Sequence, residues 1–136
     1  MRALVIGAGS IGSRRARILK SLGVNVVVHD TDVGREKTLA DELGTYPLRH
    51  INTLRLDHID LVLICSPASD HLDAAITCAE QGCYLFIEKP LSNLPLDKDK
   101  LAKLTQTLQE RGRWALMGQT YRSSMGFGLM ASGNVS

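Results

Sequence analysis

Six residues near the start of the chain, Gly7-Ala8-Gly9-Ser10-Ile11-Gly12, carry three glycines at the spacing of a phosphate-binding turn. Gly7 would permit the tight turn, Gly9 would let backbone approach a pyrophosphate, and Gly12 would let a helix pack closely on a strand. Ser10 and Ile11 sit inside the loop. Exposed N–H groups there, with the positive end of a helix dipole, would hold phosphate oxygens. The same glycines could make a plain turn, but they follow an expected strand and open an expected helix, the context that favours the phosphate loop. Further on, Asp30 stands at the end of an apolar run, where a carboxylate would accept hydrogen bonds from adenosine ribose hydroxyls. An anion there repels a 2′-phosphate, which favours NAD over NADP. Asp32 reinforces that preference and Arg35 weakens it. The plainer alternative makes Asp30 a turn residue or a helix cap.

Two further segments hold reactive side chains. Ser66-Pro67-Ala68-Ser69-Asp70-His71 follows a run of apolar residues, and Ser66, Pro67 and His71 are candidates for the wall beside a nicotinamide. Asp70 reads as the N-cap of the next helix, and His71 could be structural. No other His, Asp or Glu stands at metal-ligand spacing from His71, so no metal site is expected. Glu88-Lys89-Pro90 closes the next apolar run. Lys89 could place an ammonium over substrate oxygen and stabilise the charge that develops as hydride leaves a carbinol carbon. Pro90 restricts Lys89 to extended geometry, and a cis bond would aim the lysine into the site. On position alone, a surface lysine paired with Glu88 is an equal alternative.

The elements that must position these residues alternate along the chain. Strands are expected over Leu4–Ile6, Val24–His29, Leu61–Cys65, Tyr84–Ile87 and Trp114–Met117. Helices are expected over Ser10–Leu22, Arg35–Leu43, His71–Gln81 and Leu96–Glu110, with Gly23, Gly44 and Gly82 as stops. On the first helix Ile11, Ile18, Leu19 and Leu22 share one face, while Arg14, Arg15, Arg17 and Lys20 read as a solvated face. Tyr46–Leu56 suggests a short strand and one helical turn. The pattern implies right-handed βαβ crossovers, hence a doubly wound α/β fold with about six mainly parallel strands and helices on both faces. Residues 1–122 form the dinucleotide-binding domain in this reading, and 123–136, rich in Gly, Ser and Met, form a tail without clear periodicity.

Taken together, these markers resemble the cofactor-binding half of the family of glucose–fructose oxidoreductase, inositol 2-dehydrogenase and rhizopine-catabolism oxidoreductases (Gfo/Idh/MocA). The carriers are Gly7 to Gly12, Asp30, Pro67 with His71 four residues on, Glu88-Lys89-Pro90-Leu91, and Met117-Gly118-Gln119-Thr120-Tyr121-Arg122. The resemblance implies an NAD(P)-dependent oxidoreductase acting on sugars, cyclitols and related polyols. It makes Lys89 the catalytic lysine, working with a histidine, and often an aspartate, from a larger C-terminal domain that also forms the substrate pocket and the usual oligomer interface. That domain is expected to be missing or truncated here, so the chain alone should bind cofactor and turn over poorly. Ala68 replaces the asparagine that often follows the proline in the family. A stand-alone dinucleotide-sensing module fits the length and the glycine loop, but gives Lys89 no evident use.

Composition sets the outer limits. The 136 residues suit one domain, with 44% hydrophobic and 22% charged residues. Sixteen Lys+Arg against fourteen Asp+Glu leave a net charge of +2, too small to argue for nucleic acid or an anionic membrane. The three cysteines form no C-x-x-C pair, and with no secretory or membrane-spanning segment they point to a reducing cytoplasm.

Overall fold

A computed structural model of the chain describes residues 1–48, Leu56, 58–92, 95–118 and the strand at 127–130. The elements alternate as β1 (Arg2–Ile6), α1 (Ser10–Ser21), β2 (Asn25–His29), α2 (Val33–Leu43), β3 (Leu61–Ile64), a 3₁₀ turn (Ala68–Asp70), α3 (His71–Glu80), β4 (Tyr84–Ile87), α4 (Lys98–Arg111), β5 (Ala115–Gly118) and β6 (Phe127–Met130). One sheet runs in the order β2-β1-β3-β4-β5-β6. The first five strands are parallel, and β6 pairs antiparallel to β5, with Ala115 opposite Met130.

Both faces of the sheet are covered because its inner strands are apolar throughout. In β1, Leu4 and Ile6 join a core under α3 and α4 that includes Ile64, Leu72, Ile76, Leu85, Ile87, Leu104 and Leu108. Ala3 and Val5 join the opposite core, with Ala16 of α1 and Leu39, Ala40 and Leu43 of α2. Leu104 and Leu108 are fully buried, each such leucine contributing roughly 1.5–3 kcal/mol by its removal from water. Helix ends are set locally. Asp32 caps α2 by accepting from Arg35 N (3.0 Å), and Gly44 closes it at φ 66°. Asp97 caps α4 in the same way through Lys100 N (3.0 Å).

Two expectations change, and a third lies mostly outside the described residues. On α1, Ile11, Ile18 and Leu22 are 52%, 49% and 73% exposed, while Gly12 and Ala16 are the buried residues and Leu19 is half-buried. The helix lies so close to the sheet that only small side chains fit beneath it. Of the strand expected within Tyr46–Leu56, the described residues form a parallel bridge between Pro47 and Val28, with Leu48 N donating to Val28 O (2.7 Å), and most of that segment lies outside them. Proline has no N–H with which to continue a ladder. The helical turn expected beyond it falls largely outside the described residues. Finally, β6 arises within 123–136, where the sequence gives no strand pattern.

Candidate functional site

The chain runs from β1 outward to β2 and then returns to β3 on the other side of β1, so the strand order reverses there. Ligands of open α/β sheets bind at such a switch point, beyond the carboxyl ends of the strands. A cleft of about 530 Å³ occupies this position, lined by Gly7, Gly9, Asp30, Arg35, Ser66 and Pro67 among others. Of the candidates, these are brought together on one surface.

Backbone contacts make the glycine loop. Gly7 has φ +101°, and a Cβ there would lie 2.6–2.7 Å from backbone atoms of Cys65 and Ser66. A Cβ on Gly12 would lie 1.7 Å from Gly7 O. These two glycines therefore pack α1, β1 and the loop after β3 against one another. Gly9 differs, since no heavy atom lies within 4 Å of its Cβ position. It is also the N-cap of α1, makes no side-chain capping bond, and is followed by a first turn without acidic residues. Unlike α2 and α4, this helix keeps its N-terminal N–H groups clear of side-chain acceptors. Open space beside uncapped N–H groups fits a pyrophosphate. Ser10 and Ile11 open the helix, both exposed.

Asp30 is nearly buried, its side chain 8% exposed. Its Oδ2 accepts from Ala8 N and its Oδ1 from Asp32 N, both at 2.7 Å. The carboxylate thus joins the glycine loop to the start of α2, while the capping role belongs to Asp32. Arg35 Nε lies 3.9 Å from Asp30 Oδ2 and 3.6 Å from Asp32 Oδ2, so this guanidinium already faces two carboxylates. Beneath them lies Glu36, 1% exposed, which accepts from Asp30 N (3.0 Å) and stands 3.3 Å from His29 Nδ1. Sequence reasoning missed Glu36. The available signal was a charged residue on the helix face otherwise formed by Leu39, Ala40 and Leu43.

The opposite wall is built after β3 and β4. The Ser66 hydroxyl is buried and has no hydrogen-bond partner among the described residues. Asp70 stands at the N-cap position of α3 but makes no capping bond, because the 3₁₀ turn runs straight into the helix; it lines the cleft instead. His71 is 1% exposed and lies outside the cleft lining, with Nε2 2.5 Å from Ser66 O and Nδ1 2.8 Å from Pro90 O. Burial pushes the Cys65 thiol up to about 12; the nearby Glu88 charge adds to this and Arg15 offsets part of it. That wall offers no thiolate nucleophile near neutral pH.

Glu88 pairs with Arg15 of α1 and not with Lys89. Arg15 therefore leaves the face read as solvated, and Arg17 pairs with Glu42 (2.6 Å). Lys89 is exposed, engaged by no ion pair among the described residues, and joined to Pro90 by a cis bond. Gln119 to Arg122 lie outside the described residues. No helix among those described is long and apolar enough to cross a membrane.

This combination of a doubly wound sheet, glycine loop and acidic residue after β2 defines a dinucleotide-binding fold. Residues 1–119 match the oxidoreductase family with an NAD-binding Rossmann fold, and the chain belongs to that family. It is 35% identical over 117 residues to the scyllo-inositol 2-dehydrogenase (NAD(+)) of Bacillus subtilis, covering 82% of this chain and 33% of that protein. It is 30% identical over 129 residues to the 4-carboxy-2-hydroxymuconate-6-semialdehyde dehydrogenase of a Sphingobium species, covering 90% and 39%. Among solved structures, the UDP-N-acetylglucosamine 3-dehydrogenase of Acidithiobacillus ferrooxidans superposes with a TM-score of 0.77 at 29% identity, covering 87% of this chain and 38% of that one. The chain thus spans 33–39% of the length of these two curated relatives.

Proposed function

We propose that this chain is the dinucleotide-binding unit of an oxidoreductase that moves hydride between NAD and a hydroxyl-bearing carbon of a sugar, cyclitol or related polyol. The observation that carries the reading is the cleft in which the uncapped N-terminus of α1, with Gly9 open beside it, stands next to Asp30. In this reading the first turn of α1 binds the pyrophosphate, and Asp30 accepts from the adenosine ribose. Ser66 and Pro67 flank the nicotinamide, which when bound supplies the hydride acceptor or donor. Lys89 holds a proton and a positive charge near the substrate oxygen, stabilising its alkoxide character. Relatives named for inositol and for a UDP-sugar support the polyol class.

A second domain following about residue 122 would complete the substrate pocket, supply further acid–base groups and carry any oligomer interface. A cytoplasmic location, with neither nucleic acid nor membrane as partner, agrees with the charge and cysteine content. The test is titration of the chain with NADH, following energy transfer from Trp114, whose ring packs 4.8 Å from that of Tyr84. Saturable binding is expected. Its absence up to millimolar NADH would refute the reading.

A further inference from the structure

His71 is buried to 1% exposure, and each of its ring nitrogens faces a backbone carbonyl oxygen from a different segment. Nε2 lies 2.5 Å from Ser66 O, in the loop after β3, and Nδ1 lies 2.8 Å from Pro90 O, in the turn after β4. A single ring N–H donates to whichever carbonyl the tautomer selects, and a doubly protonated ring donates to both. The segments so joined follow the neighbouring parallel strands β3 and β4. One contributes Ser66, which lines the cleft and whose buried hydroxyl has no partner among the described residues, and the other contributes Lys89. The ring itself lies outside the cleft lining and reaches it through the Ser66 backbone, while its other nitrogen faces the Pro90 carbonyl.

We propose that His71 is a positioning residue whose ring ties the Ser66-Pro67 wall to the Lys89–Pro90 turn, fixing the spacing between the nicotinamide seat and the lysine. The inference rests on the function proposed above and adds a residue that acts through others. Loosening this tie leaves the glycine loop and Asp30 held by contacts outside the Ser66 loop: Ala8 N donates to Asp30 Oδ2, Gly7 N donates to His29 O, and Gly12 packs on Gly7 O. Its effect should therefore fall on the nicotinamide half of the ligand and spare the adenosine half.

Two substitutions divide the tie. Asn at this position places an amide near the Nδ1 site and keeps a donor for Pro90 O, whereas Gln reaches the Nε2 site and keeps one for Ser66 O. NADH and ADP-ribose, which shares the adenosine and pyrophosphate but lacks nicotinamide, are titrated against the unaltered chain, His71→Asn and His71→Gln. The expected result is at least about a fivefold loss of NADH affinity in the variant that gives up a hydrogen bond the ring donates, and in both variants where it donates to both carbonyls, with ADP-ribose within about twofold of the unaltered chain. Equal losses for both ligands would reduce His71 to a packing residue, and NADH affinity unchanged in both variants would remove its role; either overturns the proposal. Failure of the unaltered chain to bind either ligand refutes the dinucleotide reading itself and is thereby distinguished. If the variants do not fold, the His71 ring ¹⁵N signals of the unaltered chain should shift with NADH and remain still with ADP-ribose. Equal shifts, or none, would overturn the proposal.

Discussion

Arg15 of α1 clasps Glu88 at the end of β4 while its guanidinium carbon lies 4.8 Å over the ring of Phe86. One side chain thus ties the helix that follows the glycine loop to the strand that delivers Lys89. Glu88 is 13% exposed, so it depends on that cation for compensation. Arg15→Ala should destabilise the chain by about 1–2 kcal/mol, below the range for fully buried pairs because Arg15 is 36% exposed. Urea unfolding measures the loss, and a midpoint unchanged from the unaltered chain would contradict the role given to the pair.

The two glycines of the loop should separate cleanly. Gly12→Ala forces a Cβ to within 1.7 Å of Gly7 O. Backbone must move, so a cost above about 3 kcal/mol or outright failure to fold is expected. Gly9→Ala meets nothing within 4 Å and should cost at most about 1 kcal/mol, as an alanine in place of glycine at an N-cap. Its penalty should appear in NADH affinity, where the added methyl intrudes on the pyrophosphate. Parallel circular dichroism and NADH titration of both variants distinguish these outcomes.

Lys89 is exposed and unpaired among the described residues, so its removal should leave the fold alone. For Lys89→Ala we expect unfolding within about 0.5 kcal/mol of the unaltered chain and NADH affinity little changed. In an enzyme complete with its substrate domain, the same substitution should lower turnover at least about a hundredfold. Unaltered turnover there would remove the lysine from the chemistry.

The thiols predict a weakness to alkali. Burial pushes Cys65 up from 9.0 to about 12 and Cys83 up to about 11, and it raises Cys78 as well. Such a thiol keeps its proton in the fold at pH values where the unfolded chain has lost it. The unfolded state then binds fewer protons, so stability is fully present below pH 9 and falls as pH rises toward the folded-state values. Each thiol contributes a slope of about 1.4 kcal/mol per pH unit within that window. Urea unfolding near pH 8 and near pH 10.5 should show the decline, and Cys65→Ala should lessen it by one thiol's share. A stability that is flat across this range would refute the assignment.

How far the sequence could be read depends on what each residue type encodes. The β1–glycine loop–α1–β2–Asp30 unit was legible because its constraints lie in the backbone, where only glycine avoids the Gly7–Cys65 and Gly12–Gly7 clashes. Helices α3 and α4 were legible because Leu72, Ala75, Ile76, Leu104 and Leu108 repeat at helical spacing. The inner face of α1 was not, since hydrophobic periodicity favours the large Ile11 and Ile18 while close packing selects Gly12 and Ala16. Strand β6, Phe127-Gly128-Leu129-Met130, lacks a strand pattern of its own and is defined by its pairing with β5. The contacts that Glu36 and His71 make were invisible for a further reason. Their partners, Asp30 N, Ser66 O and Pro90 O, are main-chain atoms that side-chain identity does not announce.

The bridge between Val28 and Pro47 bears on a hazard of open sheets. β2 is the outermost strand on its side, and an outer strand offers backbone donors and acceptors to any other chain that drifts past. Here Leu48 N already occupies Val28 O, and Pro47 has no N–H to offer a newcomer. Beside the end of the cleft lined by Asp30, the protein's own backbone thus occupies a place where edge-to-edge self-association would otherwise begin.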